Sequence, residues 1–312
     1  MRAGEYLGFC LDRGKLAIST GQGTHLNAAT MTPGGPPALA DQIARVAGQL
    51  HPASQGLGLA LDATLSEDRR SVVKYPVQSA WRDVPLATAL EARLGIPVAL
   101  ATLAESGALA SVTAQPNPAD RSLYLLATRT VTATLLHGRR LADTAPTIRH
   151  ELAMIGHLQV AKGGPRCGCG EHGHLDVISS AQAIVRTYIG VASASDEATA
   201  TMLRASHGRA EALSAGQIVL LAQEGDAAAE AVVRPALMGL ARAIQRLALL
   251  TQAQAVILAG PLAQAASIVR ERLLALLGDD AGPFSIQVTS FAAGIGALWA
   301  VELARQAAGL AS

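Results

Sequence analysis

The chain has 312 residues, half of them hydrophobic, which suits two domains that each bury a core of their own. Its 25 lysines and arginines against 24 acidic residues give a net charge of +1, which argues against binding nucleic acid by phosphate neutralisation. Three cysteines are too few for a scaffold built on disulfides, and charges interrupt every apolar stretch before the length of about 20 residues that a membrane span needs, so we predict a cytoplasmic protein.

Short apolar runs predict buried strands, and apolar residues at helical spacing predict helices. In the first half they give, in chain order, strands at 6–11 and 15–19, a helix at 38–50, a strand at 56–61, a helix at 85–94, a strand at 95–100 and a helix at 104–112. In the second half they give strands at 122–128, 130–136 and 255–258, and a long helix at 226–250. Each half begins with a strand hairpin, which indicates mixed sheets covered by helices.

The polar, proline-bearing segment 116–121 is the predicted hinge between the two halves. We therefore expect a smaller α/β domain at 1–115 and a larger α/β domain at 116–291. The last helix, at 292–310, is expected to pack back on the smaller domain.

The strongest local signal is a loop rich in cysteine and histidine, at 157–174, in the larger predicted domain. Cys167 and Cys169 are two residues apart, and His174 follows them across a glycine turn. His157 precedes the pair by ten residues. Because thiolates and imidazoles are ligands that tetrahedral Zn²⁺ prefers, we predict a structural zinc ion bound by these four residues. The alternative is a reduced, exposed cysteine pair with incidental histidines.

The residues around this loop resemble the signature of the ROK family of bacterial repressors and sugar kinases. The family pattern Glu-Ile-Gly-His corresponds to Met-Ile-Gly-His at 154–157, and the pattern Cys-x-Cys-Gly-x-x-Gly-Cys-x-Glu corresponds to 167–176. The segment 81–98 resembles the helix and strand that precede the catalytic loop of ROK glucokinases. The resemblance covers essentially the whole chain and implies an α/β fold of the actin-like ATPase (ribonuclease H-like) type, with two domains, mixed sheets and helices.

The resemblance also implies that the catalytic base of the family is missing. In ROK kinases an aspartate takes the proton from the sugar hydroxyl, and Leu103 stands at that position. A leucine cannot accept a proton, and general-base catalysis is worth about 10²–10⁴ in rate. Glu105 is a weak candidate for a relocated base, but helix geometry predicts that it is solvated and points away from Leu103.

Both phosphate-binding glycine loops of the family are altered as well. Asp12 and Gly14 remain from the first loop, as weak candidates for binding phosphate or Mg²⁺. Lys15 and Leu16 stand where the family has a glycine and a threonine, and the segment 127–131 lacks all three glycines of the second loop. Mg-ATP is therefore expected as a cofactor only if the protein is an active kinase.

His157 and Asp176 are the candidates for sugar binding that the resemblance implies, although Met154 replaces a glutamate of the family motif. Our leading hypothesis is a catalytically impaired kinase-like protein, a pseudokinase, that binds a sugar or another small molecule or regulates a partner. The alternative is an active ATP-dependent hexose kinase with a divergent site. No direct DNA binding is expected, because the first strand begins near residue 6, and the resemblance implies a homodimer or homotetramer.

Overall fold

The computed structural model describes residues 6–12, 15–19, 25–30, 35–50, 53–75, 81–113, 115–278, 284–291 and 300–305. The chain forms two compact units, of which the first comprises Met1–Ala110 and Ala292–Ser312 and the second comprises Ser111–Phe291. The division falls a few residues before the predicted hinge at 116–121.

Most elements between residues 6 and 113 are strands, and the last of these elements, a helix, extends three residues past Ala110 into the second unit. In chain order they are β1 (Tyr6–Asp12), β2 (Lys15–Ser19), β3 (His25–Thr30), α1 (Pro36–Leu50), β4 (Gly56–Leu61), β5 (Thr64–Leu65), β6 (Val72–Lys74), β7 (Arg82–Val84), α2 (Leu86–Leu94), β8 (Val98–Thr102) and α3 (Leu103–Thr113). The main sheet has the order β3-β2-β1-β4-β8. β1 is antiparallel to β2 and parallel to β4, so the sheet is mixed, as predicted.

The core of this unit lies between the main sheet and two helices. All residues of β4 are buried, which is typical of a central strand covered on both faces. Helix α1 contributes Leu39, Ile43 and Ala47, which recur every four residues and therefore share one face. Residues 300–305 are helical, and a side chain at Gly58 of β4 would overlap the carbonyl oxygen of Ala300.

Three features of the first unit differ from the sequence prediction, and the first is β3, which was not predicted. The strand predicted at 95–100 runs instead from Val98 to Thr102, because Gly95 adopts a left-handed conformation (φ +67°) that ends α2. A small antiparallel sheet of three strands, β5-β6-β7, was not predicted. Its strands have only two or three residues and expose most of them, so they carry no apolar run.

The second unit repeats the arrangement of a hairpin followed by parallel strands. Its elements are β9 (Arg121–Ala127), β10 (Val131–His137), β11 (Arg140–Leu141), α4 (Pro146–Ala153), α5 (Leu175–Ser179), α6 (Ala181–Ala192), α7 (Asp196–Ala205), α8 (Ala215–Gln223), α9 (Ala227–Thr251), β12 (Ala255–Ala259), α10 (Ala266–Leu277) and β13 (Ser285–Thr289). The sheet order is β11-β10-β9-β12-β13. β9 is antiparallel to β10 and parallel to β12. β13 was not predicted.

Helix α9 forms the centre of the second core, and its prediction at 226–250 is confirmed. The carboxylate of Asp226 caps its first turn by accepting the N–H of Ala229 at 2.7 Å. Among the helices of the described residues, none has the length and apolar character needed to cross a membrane.

Candidate functional site

The loop between residues 158 and 174 is folded back on itself by backbone hydrogen bonds that meet at Gly173. The carbonyl oxygen of Gly173 accepts the N–H groups of Val160 and Ala161, at 2.8 and 3.1 Å, and its own N–H donates to Pro165 at 2.9 Å. Gly173 has φ +71°, and a side chain there would overlap the carbonyl oxygen of Ala161. Only glycine suits this position, and the fold-back brings His174 next to His157.

The four predicted metal ligands converge at this point. The ligand atoms of His157, Cys167, Cys169 and His174 all lie within 4.8 Å of one another. His157 Nδ1 lies 3.3 Å from His174 Nδ1. Cys169 Sγ lies 3.3 Å from His174 Nδ1, and Cys167 Sγ lies 3.7 Å from His157 Nδ1.

Three of these separations are close to the edges of a zinc tetrahedron. With Zn–N bonds of about 2.0 Å and Zn–S bonds of about 2.3 Å, tetrahedral angles place two nitrogens about 3.3 Å apart and a nitrogen and a sulfur about 3.5 Å apart. The three measured distances lie within a few tenths of an ångström of these values. Donor types and geometry therefore both suit a tetrahedral zinc ion, and four protein ligands would leave it no open position for catalysis.

The candidate metal centre is partly buried. Cys167 and His174 are only 7% and 8% exposed, whereas Cys169 is exposed. Burial raises the pKa of the Cys167 thiol, so the neutral form is favoured when no cation is near. A bound divalent cation reverses this preference, because its charge stabilises the thiolate.

Asp176 lies beside this centre, at the start of α5. Its Oδ1 accepts the N–H of Val131 at 2.6 Å. A side chain at Gly156 would lie 2.6 Å from Oδ2 and would overlap Oδ1, so the carboxylate packs directly on the backbone that carries His157. Burial raises the pKa of Asp176, while the Val131 hydrogen bond and the imidazoles of His157 and His174 act in the opposite direction.

Leu103, the residue that the resemblance predicts at the position of the catalytic base, lies at the start of α3. Leu103 follows β8 directly, and it is only 6% exposed. Thr102 and Glu105 form a capping box, in which the Thr102 hydroxyl accepts the N–H of Glu105 at 3.2 Å and the Glu105 carboxylate accepts the N–H of Thr102 at 2.9 Å.

The prediction that Glu105 is a solvated helix residue is wrong. Its side chain is only 13% exposed, and Oε1 also forms an ion pair of 2.7 Å with Arg69. A position in the first helical turn lets the side chain reach back to the strand, which the argument from helix rotation did not consider. The Thr-x-x-Glu pattern at 102–105 was the signal that could have revealed this role.

We expect that replacing Thr102 with alanine lowers the free energy of unfolding by about 1 kcal/mol, because an N-cap acceptor is lost. Urea denaturation of Thr102→Ala, Glu105→Ala and the double variant measures the effect. The two changes remove one reciprocal pair, so the double variant should lose less than the sum of the single losses. Strictly additive losses would show that the capping box does not act as a unit.

The remaining predicted phosphate-binding residues are only partly described by the structure. Gly14 and the side chain of Asp12 lie outside the described residues. The turn between β9 and β10, residues 128–130, is closed by the N–H of Thr128, which donates to Thr130 at 3.0 Å. Gly260 follows β12 with φ +129°, and a side chain there would lie 2.5 Å from the carbonyl oxygen of Ala127. Packing therefore requires a glycine at this position.

Two curated kinases are similar in sequence to this chain over part of their length. A glucokinase of Streptomyces coelicolor is 25% identical over 196 residues, which make up 62% of this chain and 61% of the glucokinase. A kanosamine kinase of Amycolatopsis mediterranei is 28% identical over 149 residues, 47% of each chain. This chain thus spans less than two thirds of the length of these curated relatives.

Solved structures resemble the whole chain. A ROK family glucokinase from Streptomyces griseus, in complex with glucose and AMPPNP, has a TM-score of 0.75 at 22% identity and covers 96% of this chain and 99% of its own. A ROK family transcriptional regulator, a homologue of the E. coli MLC protein, has a TM-score of 0.77 at 20% identity and covers 99% of this chain and 80% of its own. These likenesses show the actin-like ATPase fold. The ROK family model matches residues 13–306, and the chain therefore belongs to the ROK family.

Proposed function

We propose that this protein is a pseudokinase of the ROK family, which binds a sugar or a related small molecule but does not transfer phosphate. The observation that carries the proposal is the buried Leu103 at the position of the catalytic base. The neighbouring acid, Glu105, is bound to Thr102 and Arg69 and holds the first turn of α3 in place. A carboxylate engaged in this way is poorly placed to accept a proton from a substrate hydroxyl.

The altered turn at 128–130 supports the same conclusion. Phosphate-binding loops use glycines so that successive backbone N–H groups can approach the anion. Here the N–H of Thr128 donates to Thr130, and the N–H of Val131 donates to Asp176. Two of the amides of this segment are therefore already occupied within the protein.

Sugar binding is the part of the family's function that the remaining residues could retain. His157 and Asp176 are the proposed sugar-binding residues in the second unit; His157 is also one of the four candidate metal ligands, and Asp176 lies beside them. The Streptomyces griseus glucokinase was crystallised with glucose, and a ROK family protein of Streptococcus pneumoniae with sucrose. We include in the proposal a structural zinc ion, which would crosslink the loop and thereby fix the position of His157. We also propose that the protein is cytoplasmic and forms a homodimer or a homotetramer.

We expect no ATP-dependent phosphorylation of hexoses above the background of a coupled ATPase assay, because the base and both glycine loops are altered. Thermal unfolding measured with a panel of hexoses, and separately with Mg-ATP, should show a rise in melting temperature with a sugar alone, since a ligand stabilises the state that binds it. A ROK glucokinase assayed in parallel is the positive control.

An active kinase with a divergent site is the second candidate, favoured by the similarity to the Streptomyces coelicolor glucokinase. It predicts stabilisation by Mg-ATP as well as by a sugar. It also predicts turnover that one substitution, Glu105→Gln or Asp12→Asn, abolishes. Observation of such turnover would contradict the pseudokinase proposal.

A further inference from the structure

Asp176 connects two segments of the second unit that are far apart in sequence. It follows the candidate metal ligand His174 by two residues, and its carboxylate accepts the N–H of Val131, 45 residues earlier in the chain. Val131 is the first residue of β10, directly after the turn 128–130. The contact therefore links the metal loop to the hairpin that replaces the family's second phosphate loop.

The hairpin geometry explains why the N–H of Val131 needs this partner. In antiparallel strands, hydrogen-bonded pairs alternate with pairs whose N–H groups point outward. Since the N–H of Thr128 donates to Thr130, the next pair, Ala127 and Val131, is of the outward kind. β11 pairs with Leu136 and His137 of β10, and within the part of the chain that the structure describes no strand neighbours β10 at Val131. The carboxylate of Asp176 fills that place at the sheet edge.

The carboxylate is also close to the two segments that carry the histidines of the candidate centre. It packs against the backbone of Gly156, next to His157. Asp176 also follows His174 in the chain, with one residue between them. The segments that carry these histidines are joined to each other by the N–H of Leu175, which donates to the carbonyl oxygen of Leu158 at 2.9 Å. An ion bound by both imidazoles would add a crosslink at the same place.

We infer that metal binding at the four-residue centre fixes the conformation of the turn 128–130 through Asp176, which acts as a positioning residue. The inference rests on the proposed zinc site. When zinc holds His157 and His174 together, the two segments around the carboxylate of Asp176 are rigid, and its oxygen keeps the hydrogen bond with the N–H of Val131. When the ion is removed, these two segments become less rigid, and the turn 128–130 loses the hydrogen bond from Val131 to Asp176. Metal binding thus determines how well the turn 128–130 is ordered, although none of the four ligands lies in that turn.

Hydrogen exchange measured by mass spectrometry, on peptides that cover residues 128–135, tests this coupling. We expect exchange at Val131 to become about tenfold faster or more when zinc is removed by a chelator, because a charge-assisted hydrogen bond then opens more often. Asp176→Ala should show the faster exchange even with zinc bound. Asp176→Asn, which keeps an acceptor oxygen, should retain most of the protection.

The matched control is Asp226→Ala. Asp226 lies in the same unit and accepts the N–H of Ala229 at 2.7 Å, so its loss should speed exchange at the start of α9 but leave the zinc dependence at Val131 unchanged.

The zinc content of each sample, measured by elemental analysis, separates the two ways in which the inference could fail. If zinc binds and hydrogen exchange at 128–131 is the same with and without it, the metal site is supported, but the proposed coupling between zinc binding and the turn 128–130 is wrong. If less than about half a zinc ion per chain is bound, the proposed metal site is wrong, and the coupling that depends on it is wrong as well.

Discussion

Replacing His174 with alanine is expected to lower zinc affinity by at least about 100-fold. Loss of a residue that only supports a ligand typically costs 10–100-fold in metal affinity, so loss of a direct ligand should reach the upper end of that range or exceed it. His174 Nδ1 lies 3.3 Å from both His157 Nδ1 and Cys169 Sγ, and its removal leaves the proposed tetrahedron with three protein ligands. Competition with a chromophoric chelator measures the change in affinity.

Thermal unfolding should report the same loss. A ligand present at about 100 times its dissociation constant stabilises the folded state by about 2.7 kcal/mol, and a 100-fold weaker site gives up nearly all of this. The chelator should therefore lower the melting temperature of the wild-type protein clearly and that of His174→Ala very little. Equal sensitivity of the two proteins to the chelator would contradict the four-ligand site.

His172→Ala is the matched control for this experiment. His172 is exposed and lies two residues before His174 in the same loop, but it is not among the four converging residues. It pairs with Arg166 through the backbone, which alanine preserves. Zinc affinity and melting temperature should stay close to the wild-type values. A loss equal to that of His174→Ala would show that the loop is sensitive to any change, and not to ligand removal.

The fold could be predicted wherever the sequence carries an uninterrupted apolar run. β4 and β12 are fully buried, and both were recognised because all of their side chains are apolar or glycine. β13 was missed because Ser285–Thr289 buries only Ile286 completely and its pattern is not distinctly apolar. The sheet β5-β6-β7 was missed for the same reason, since pairing between strands and not hydrophobicity defines such short segments.

The candidate site could be predicted only where its residues are close in the chain. The four metal ligands lie within 157–174, and the motif alone brings them together. The contacts of Glu105 with Arg69, and of Asp176 with Val131, join residues 36 and 45 positions apart. Sequence spacing carries no information on such pairs, because the sheet topology decides which segments meet. The second contact involves a backbone N–H, which no residue type reveals.

Replacing Gly173 with alanine is expected to lower the free energy of unfolding of the second unit by about 3 kcal/mol. A left-handed conformation costs a residue with a side chain about 1–2 kcal/mol. Overpacking typically costs a further 1–3 kcal/mol, and here the added methyl group would lie 2.8 Å from the carbonyl carbon of Ala161. The backbone cannot yield easily, because Gly173 takes part in hydrogen bonds with Val160, Ala161 and Pro165. Urea denaturation measures the loss.

The same substitution should weaken zinc binding, because Gly173 sets the fold-back that places His174 beside His157. Two glycines of the same loop separate the causes. Gly163 has φ +66°, nearly that of Gly173, but an added methyl group there meets nothing within 4 Å. Gly163→Ala should therefore show the conformational cost alone, about 1–2 kcal/mol. Gly168 has neither a left-handed conformation nor a close neighbour, so Gly168→Ala should change stability by less than about 0.5 kcal/mol.

The order of stability of these three variants tests the role of the contact with Ala161 more sharply than any single free energy of unfolding. If contact with Ala161 is the dominant cost, Gly173→Ala is the least stable, Gly163→Ala is intermediate and Gly168→Ala resembles the wild type. Equal losses for Gly173→Ala and Gly163→Ala would show that the loop relaxes around the new methyl group. In that case the close approach of Gly173 to Ala161 would not be what holds His174 in the metal centre, and the hydrogen bonds between the two segments would have to do so by themselves.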